Sequence, residues 1–300
     1  MIKSITRYQE ILRINGLTVH IPAIVQTLSE DELIECIGEF DGWIIGDDPA
    51  TERVFAAGRK KKLRAAVKWG VGTDNVDFSG AKAFGFAVRN TPRMFGDEVA
   101  DIAMGYVVAL ARKTFQIHAG ILAGEWPKPV GLSLKGSVVA LVGLGDIGQQ
   151  TAERLLAAKM KIIGYDPIDG ESLPNLERAD WPERIEEADF LVLTCSLTPY
   201  SRHMVNGDLL RRCKSGVRII NVSRGGLIDE HALANALDVG HVESAAFEVF
   251  EVEPLPPESN LRRFRQCLFG SHNASNTQEA VDRTSMRAIE LLAKMFEECE

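Results

Sequence analysis

Apolar positions along this chain change their spacing repeatedly. Short runs of Val, Ile, Leu, Ala and Phe alternate with stretches in which apolar residues fall three or four apart. Unbroken apolar runs read as strands buried on both faces, and the wider spacing reads as helices. The alternation therefore predicts parallel sheets joined by crossover helices. A helical pattern over residues 4–14 leads into the run Leu17-Thr18-Val19-His20-Ile21. Ser29 and Glu32 make a capping box that opens a helix to about Ile37. Gly42–Gly46 reads as a short buried strand and Thr51 as a helix cap. Leu63–Trp69 reads as a strand entering the turn Gly70-Val71-Gly72-Thr73-Asp74. The run Phe84–Val88 completes a first α/β block near residue 90.

Asp97 to about Gly120 carries one long, mostly apolar helical pattern with Ala100, Ala103, Gly105 and Ala109 along it. The pattern suits an interdomain connector, a dimer contact or a buried core helix equally well. After the break Trp126-Pro127-Lys128-Pro129 a second block begins. Its expected strands are Ser137–Val142, Lys161–Asp166, Phe190–Thr194, Val217–Val222, Val242–Phe247 and Cys267–Phe269, and an amphipathic helix from Thr277 to about Phe296 ends the chain.

Length sharpens this reading, since 300 residues exceed the usual single domain and favour two. The 45% apolar and 25% charged content is that of a globular chain with a sizeable core. Acidic residues outnumber basic ones by 42 to 34, and the resulting charge of −8 repels phosphate backbones, so no nucleic-acid partner is expected. Cys36, Cys195, Cys213, Cys267 and Cys299 are scattered and form no CxxC pair. That pattern suits neither a disulfide framework nor a metal site and fits a reducing, cytoplasmic location. The N-terminus lacks a signal-peptide core and no apolar run reaches the length of about 18 residues that spans a membrane, so no membrane partner is expected.

The strongest local motif is Val142-Gly143-Leu144-Gly145-Asp146-Ile147-Gly148. A bare GxGxxG is weak evidence, but this one sits between an expected strand and the helical run Gln149–Lys159. The first Gly permits the tight turn, the second admits a pyrophosphate against the backbone, and the third packs helix on strand. Asp166 closes the next strand, 18 residues after Gly148. A carboxylate there accepts hydrogen bonds from a ribose diol and repels a 2′-phosphate, favouring NAD over NADP. Its bland alternative is a turn residue before Pro167. Arg224, at the carboxyl end of an apolar strand in Asn221-Val222-Ser223-Arg224-Gly225-Gly226, offers a bidentate fork for a carboxylate, or is a surface Arg in a glycine turn. Glu248, Glu251 and Glu253 follow another strand, where most glutamates are solvated. His272 follows Cys267–Phe269, and a lone His is more often structural than catalytic.

Taken together these segments resemble the D-isomer-specific 2-hydroxyacid dehydrogenase family, in its phosphoglycerate-dehydrogenase-like branch. The matching motifs are GVGTDNVD at 70–77, RNTP at 89–92, VGLGDIG at 142–148, GYDP at 164–167, NVSRGGLIDEHAL at 221–233, VFEVEP at 249–254 and SHNASNTQEA at 271–280. They stand in the family's order and cover the chain from about residue 30.

The resemblance implies two doubly wound parallel-sheet α/β domains with a cleft between them. A Rossmann NAD domain would occupy 92–274, and a smaller flavodoxin-like substrate domain would be built from 1–91 and 275–300. It implies a hydride transfer between NAD and a small D-2-hydroxy or 2-oxo acid, 3-phosphoglycerate-like acids included. The implied catalytic set is Arg224, Glu253 and His272. Implied cofactor contacts come from Gly143, Gly145, Asp146, Ile147, Gly148, Asp166, Pro167, Thr198, Val222, Ser223, Glu248 and His272, and substrate contacts from Val71, Gly72 and Arg224. No metal is implied. A homodimer through the 97–120 region is expected.

Several positions depart from the family pattern. Glu248 stands where the family usually has an Asp that contacts the nicotinamide carboxamide. Asn273-Ala274-Ser275 replaces an apolar residue and two glycines, and Ser196 replaces a frequent Pro. Gly46-Asp47-Asp48-Pro49 stands where phosphoglycerate dehydrogenases carry an Arg suited to phosphate; Lys68 and Arg93 are the remaining basic candidates. The chain enters a helical pattern almost at once, so the family's opening strand is expected to be missing from it. Two rival functions share the fold: an NAD(H)-sensing binding protein and a dehydrogenase of phosphite or formate. The intact Arg–Glu–His pattern favours the hydroxyacid enzyme.

Overall fold

The computed structural model describes residues 2–22, 27–168 and 175–298. Two compact units emerge, Met1–Met94 with Thr277–Glu300 and Phe95–Asn276.

In the first unit, a 3-10 turn (Ile2–Tyr8) runs into α1 (Gln9–Ile14), followed by α2 (Glu30–Cys36), β1 (Gly42–Ile45), α3 (Glu52–Arg59), β2 (Ala65–Lys68), α4 (Phe78–Ala83) and β3 (Ala87–Asn90). The capping box forms as expected, with the Ser29 hydroxyl accepting from Glu32 N, and the Thr51 side chain accepts from Val54 N. The three strands are parallel in the order β1-β2-β3. Alternation along β2 sets the two faces. Ala66 joins Trp43, Ile45, Val54, Phe55 and Phe86 on one side, while Ala65 and Val67 meet Ala288, Leu291, Leu292 and Met295 of the C-terminal helix Gln278–Glu298 on the other. Gly42 admits that helix, since a Cβ there would stand 2.6 Å from the Phe296 ring. The N-terminal segment rests on the same helix. Tyr8 OH donates to Asp282 at 2.6 Å, and Leu12 packs on Ile289. Among the described residues no strand precedes Gly42.

In the second unit, α5 (Gly96–Arg112), α6 (Thr114–Leu122), β4 (Val138–Val142), α7 (Asp146–Ala157), β5 (Lys161–Tyr165), β6 (Leu176–Arg178), β7 (Phe190–Leu193), α8 (Gly207–Arg212), β8 (Val217–Asn221), α9 (Glu230–Asp238), β9 (Val242–Phe247) and β10 (Leu268–Phe269) follow in turn. All seven strands are parallel, in the order β10-β9-β8-β7-β4-β5-β6. The chain leaves β4 toward β6, then crosses back to β7 and runs the other way. Ligands bind at such a reversal, outside the carboxyl ends of the strands. α5 lies against α7, tied there by Arg154, which bonds Asp101 at 2.7 Å and Asp97 at 3.0 Å.

Three sequence expectations shift. The strand expected at Phe84–Val88 lies at Ala87–Asn90, because Phe84 caps α4 and Gly85 turns the chain at φ +72°. The single helix expected over 97–120 breaks at Lys113, which adopts φ +53°. The Ala111 carbonyl, which a continuous helix would give to Phe115, instead accepts Leu132 N at 2.7 Å. The three-residue edge strand β6 was not anticipated, since Leu-Glu-Arg carries no apolar pattern.

Candidate active site

Strand register arranges the site. Tyr165, Val142, Leu193, Asn221, Phe247 and Phe269 form one row across the larger sheet. Every candidate residue of that unit leaves the sheet just beyond this row, at its carboxyl edge.

On β4, Gly143 turns the chain at φ +94°, where a Cβ would meet Cys195 N at 2.5 Å. Gly148 packs so closely that its Cβ would stand 1.9 Å from Gly143 O. Gly145 is the contrast, for a Cβ there has no atom within 4 Å. It is also the N-cap of α7 and supplies no side-chain cap to the first-turn N–H groups. Open space thus stands over a helix N-terminus, which is what a pyrophosphate requires. Asp146 and Ile147 open that helix, and the Ile147 carbonyl accepts Thr151 Oγ1 at 2.8 Å. NAD fits the residues present: Gly145 leaves room for its phosphates and Asp166 stands at the tip of β5.

Asp166 Oδ2 accepts Leu144 N at 2.7 Å and Oδ1 accepts Ile168 N at 2.9 Å, across Pro167. The turn role is therefore real. Each oxygen keeps acceptor capacity, so a ribose role is compatible with it. Thr198 is tied into a local turn by Ser201, whose Oγ accepts Thr198 N at 2.8 Å. Val222 is buried and donates its N–H to Leu193 O at 3.3 Å, while the Ser223 hydroxyl donates to Cys195 O.

Arg224 follows β8. The buried Asn221 side chain braces this loop, its Nδ2 donating to Arg224 O at 2.9 Å and its Oδ1 accepting Ser223 N at 3.1 Å. Arg224 Nη1 donates to Ser223 O at 2.9 Å. Gly225 is essential to this placement, because a Cβ would fall 1.8 Å from the Phe250 carbonyl carbon. In the loop after β9, Glu253 Oε1 accepts Phe250 N at 2.9 Å, while its Oε2 lies 2.7 Å from His272 Nδ1. An ionised Glu253 only accepts, so Nδ1 carries the proton in this pair and Nε2 is the basic nitrogen. The imidazole is 41% exposed, open to a ligand.

His272 has φ +56°, a left-handed conformation seldom taken by residues other than glycine. Its N–H donates to Glu248 O at 2.8 Å, and Glu248 Oε1 accepts the N–H of Asn273. Glu248 Oε2 accepts the Tyr106 hydroxyl from α5 at 2.6 Å. Burial and this bond push the Tyr106 hydroxyl well above its ordinary pKa. Glu248 is only 4% exposed. Neither Tyr106 nor Asn221 was singled out from sequence. The one available signal was the Glu at 248 in place of Asp, which requires a partner deeper in the fold.

Val71 and Gly72 lie in the other unit, in the loop after β2. There Gly70 N donates to Thr91 Oγ1 at 2.8 Å and Asn90 Nδ2 to Val71 O at 3.4 Å. Lys68 is buried beside them and donates to Gly46 O. Among the described residues, no cluster of His, Cys, Asp and Glu would hold a metal, and no helix is long and apolar enough to cross a membrane.

Residues 104–274 match the family model described as D-isomer specific 2-hydroxyacid dehydrogenase, NAD binding domain. Over 278 residues the chain is 37% identical to the hydroxypyruvate reductase of Thermotoga maritima, covering 90% of this chain and 89% of that one. It is 34% identical over 275 residues to the D-3-phosphoglycerate dehydrogenase of Methanocaldococcus jannaschii, covering 90% of this chain but only 52% of the longer relative. Among solved structures, the TT0316 protein of Thermus thermophilus superposes with a TM-score of 0.88 at 29% identity, covering 97% of this chain and 94% of that one.

Proposed function

This chain belongs to the D-isomer-specific 2-hydroxyacid dehydrogenase family, NAD-dependent oxidoreductases acting on CH–OH donors, and from that premise we propose that Arg224, Glu253 and His272 are its catalytic set. The observation carrying this reading is the 2.7 Å Glu253–His272 pair at the sheet edge that also presents Arg224. NAD, when bound, supplies the hydride acceptor. His272 Nε2 takes the hydroxyl proton as C2 becomes a carbonyl, and returns it in the reverse direction. Glu253 holds Nδ1–H, fixes the tautomer and stabilises the imidazolium that forms. Arg224 binds the substrate carboxylate and polarises the C2 oxygen. The first turn of α7 would hold the pyrophosphate, and Asp166 would hold the adenosine ribose.

The substrate is a small D-2-hydroxy acid or its 2-oxo form. A phosphorylated, 3-phosphoglycerate-like acid is the second reading, favoured by the D-3-phosphoglycerate dehydrogenase relative. The segment Gly46-Asp47-Asp48-Pro49 weighs against it, because it stands where the phosphoglycerate dehydrogenases that the chain resembles carry an Arg suited to phosphate. Phe115, Leu122, Trp126 and Val130 are exposed on and after α6, which supports a homodimer through this region. The free thiols of Cys36, Cys195, Cys213 and Cys267 support a cytoplasmic location.

Turnover of NADH with a panel of 2-oxo acids, phosphorylated and not, tests the reading. Turnover with none of them, alongside retained NADH binding, would leave the binding-protein alternative. A monomer mass by light scattering at micromolar concentration would remove the dimer.

A further inference from the structure

We propose that Tyr106 and Glu248 are positioning residues for the reaction: together they form a buried strut that holds the His272 segment in its left-handed conformation. The proposal rests on the reading of His272 as the proton acceptor, and it deepens that reading. Three observations carry it. First, both oxygens of the Glu248 carboxylate are used inside the fold, one by the Tyr106 hydroxyl and one by Asn273 N–H. Second, the Glu248 backbone carbonyl accepts His272 N, so a single residue grips two consecutive amides of the segment that carries the imidazole. Third, the fold makes room for the pair. A Cβ at Gly270 would stand 2.1 Å from Glu248 Oε2 and 2.7 Å from the Tyr106 hydroxyl.

The physical logic follows from these contacts. A non-glycine residue at φ +56° carries a backbone cost that its surroundings must offset. Glu253 fixes the His272 ring through Nδ1, but it cannot fix the backbone from which the ring hangs. Glu248 does so from the other side. Its own carboxylate is in turn held by Tyr106 on α5, a helix clamped to α7 through Arg154. An Asp at 248 would be shorter by one methylene and could not reach both Tyr106 and Asn273 N–H from the same backbone. Glu248 therefore serves the chemistry through His272, and its carboxylate faces the protein instead of the nicotinamide carboxamide.

The test uses the full chain with NADH and its best 2-oxo acid. Tyr106→Phe keeps the ring and removes the donor; it is expected to lower kcat about tenfold while leaving the NADH Kd within about twofold. The primary isotope effect from NADH deuterated at the transferred hydrogen should rise, as misplacement slows the chemical step itself. Glu248→Gln keeps an oxygen for Asn273 N–H and can donate its amide N–H to the Tyr106 oxygen, exchanging charge-assisted bonds for weaker neutral ones, so it should fall between Tyr106→Phe and the parent. Gly270→Ala should reproduce the Tyr106→Phe phenotype by crowding the pair. A folded Tyr106→Phe with unchanged kcat and isotope effect overturns the strut. Weakened NADH binding at unchanged kcat also overturns it and makes Glu248 a cofactor ligand. If His272→Asn retains turnover, the catalytic reading fails by itself, and hydrogen exchange at the 271–274 amides then decides the strut. Faster exchange in Tyr106→Phe supports it, and unchanged exchange overturns it.

Discussion

The glycine loop after β4 and the His272 segment occupy the same edge of the same sheet, yet they are built by opposite means. Gly143–Gly148 is shaped by absence: two glycines sit where no Cβ fits, and a third leaves open space above a helix end. The His272 segment is shaped by presence. Side chains from two distant stretches hold it: Glu248 and Glu253 after β9 contact the segment, and Tyr106 on α5 secures Glu248. A loop defined by steric exclusion is written in a contiguous stretch of sequence. A segment defined by convergent side chains is written in residues more than a hundred positions apart, whose relation exists only after folding.

The contrast predicts different failures. His272→Asn should have the largest effect, a loss of about 10³-fold in kcat, with NADH affinity nearly unchanged, measured by steady-state kinetics and fluorescence titration. Retained turnover would mean that the convergent segment does not carry the proton transfer. Gly148→Ala should fail earlier, in folding. Its Cβ would overlap Gly143 O, and an overpacking cost of about 3 kcal/mol should appear in denaturant unfolding. Asp166→Ala removes the acceptor of Leu144 N together with the proposed ribose partner. NAD should bind about tenfold more weakly, and NADP should lose less, as read by calorimetry. Gly145→Ala should be the mildest. With nothing near its Cβ the melting temperature should stay within about 2 °C, while NAD binding weakens several-fold. Equal stability loss at Gly145 and Gly148 would erase the distinction between room left for a ligand and room demanded by packing.

The same distinction explains what could be read in advance. The strands of the larger unit announced themselves because a sheet covered on both faces needs unbroken apolar runs, as Val138–Val142 and Phe190–Leu193 supply. Leu176–Arg178 escaped notice because an edge strand of three residues needs no such run. The break at Lys113 was equally silent. Nothing in Ala-Arg-Lys-Thr-Phe forbids a helix, and the carbonyl that ends it is taken by Leu132, from a distant part of the chain. Motifs mark Arg224, Glu253 and His272, whereas Asn221 reads only as the end of a strand. Its side chain turns back to brace Arg224 only because β8 ends there.

By itself the amino-acid sequence determined the α/β class, most of the strands and helices, the glycine-bearing loop between β4 and α7, and the family to which the chain belongs. Each of these rests on local chemistry: apolar spacing, caps, and glycines required by the backbone. Only the tertiary structure decided that six strand ends share one row, that Gly145 is open where Gly148 is closed, and that Glu248 turns inward to Tyr106. The reason is the reach of the interactions. A side chain's hydrogen-bond partner is set by proximity in space: strand register brings the end of β9 and the residues after β10 together, and the packing of α5 on α7 brings Tyr106 to them.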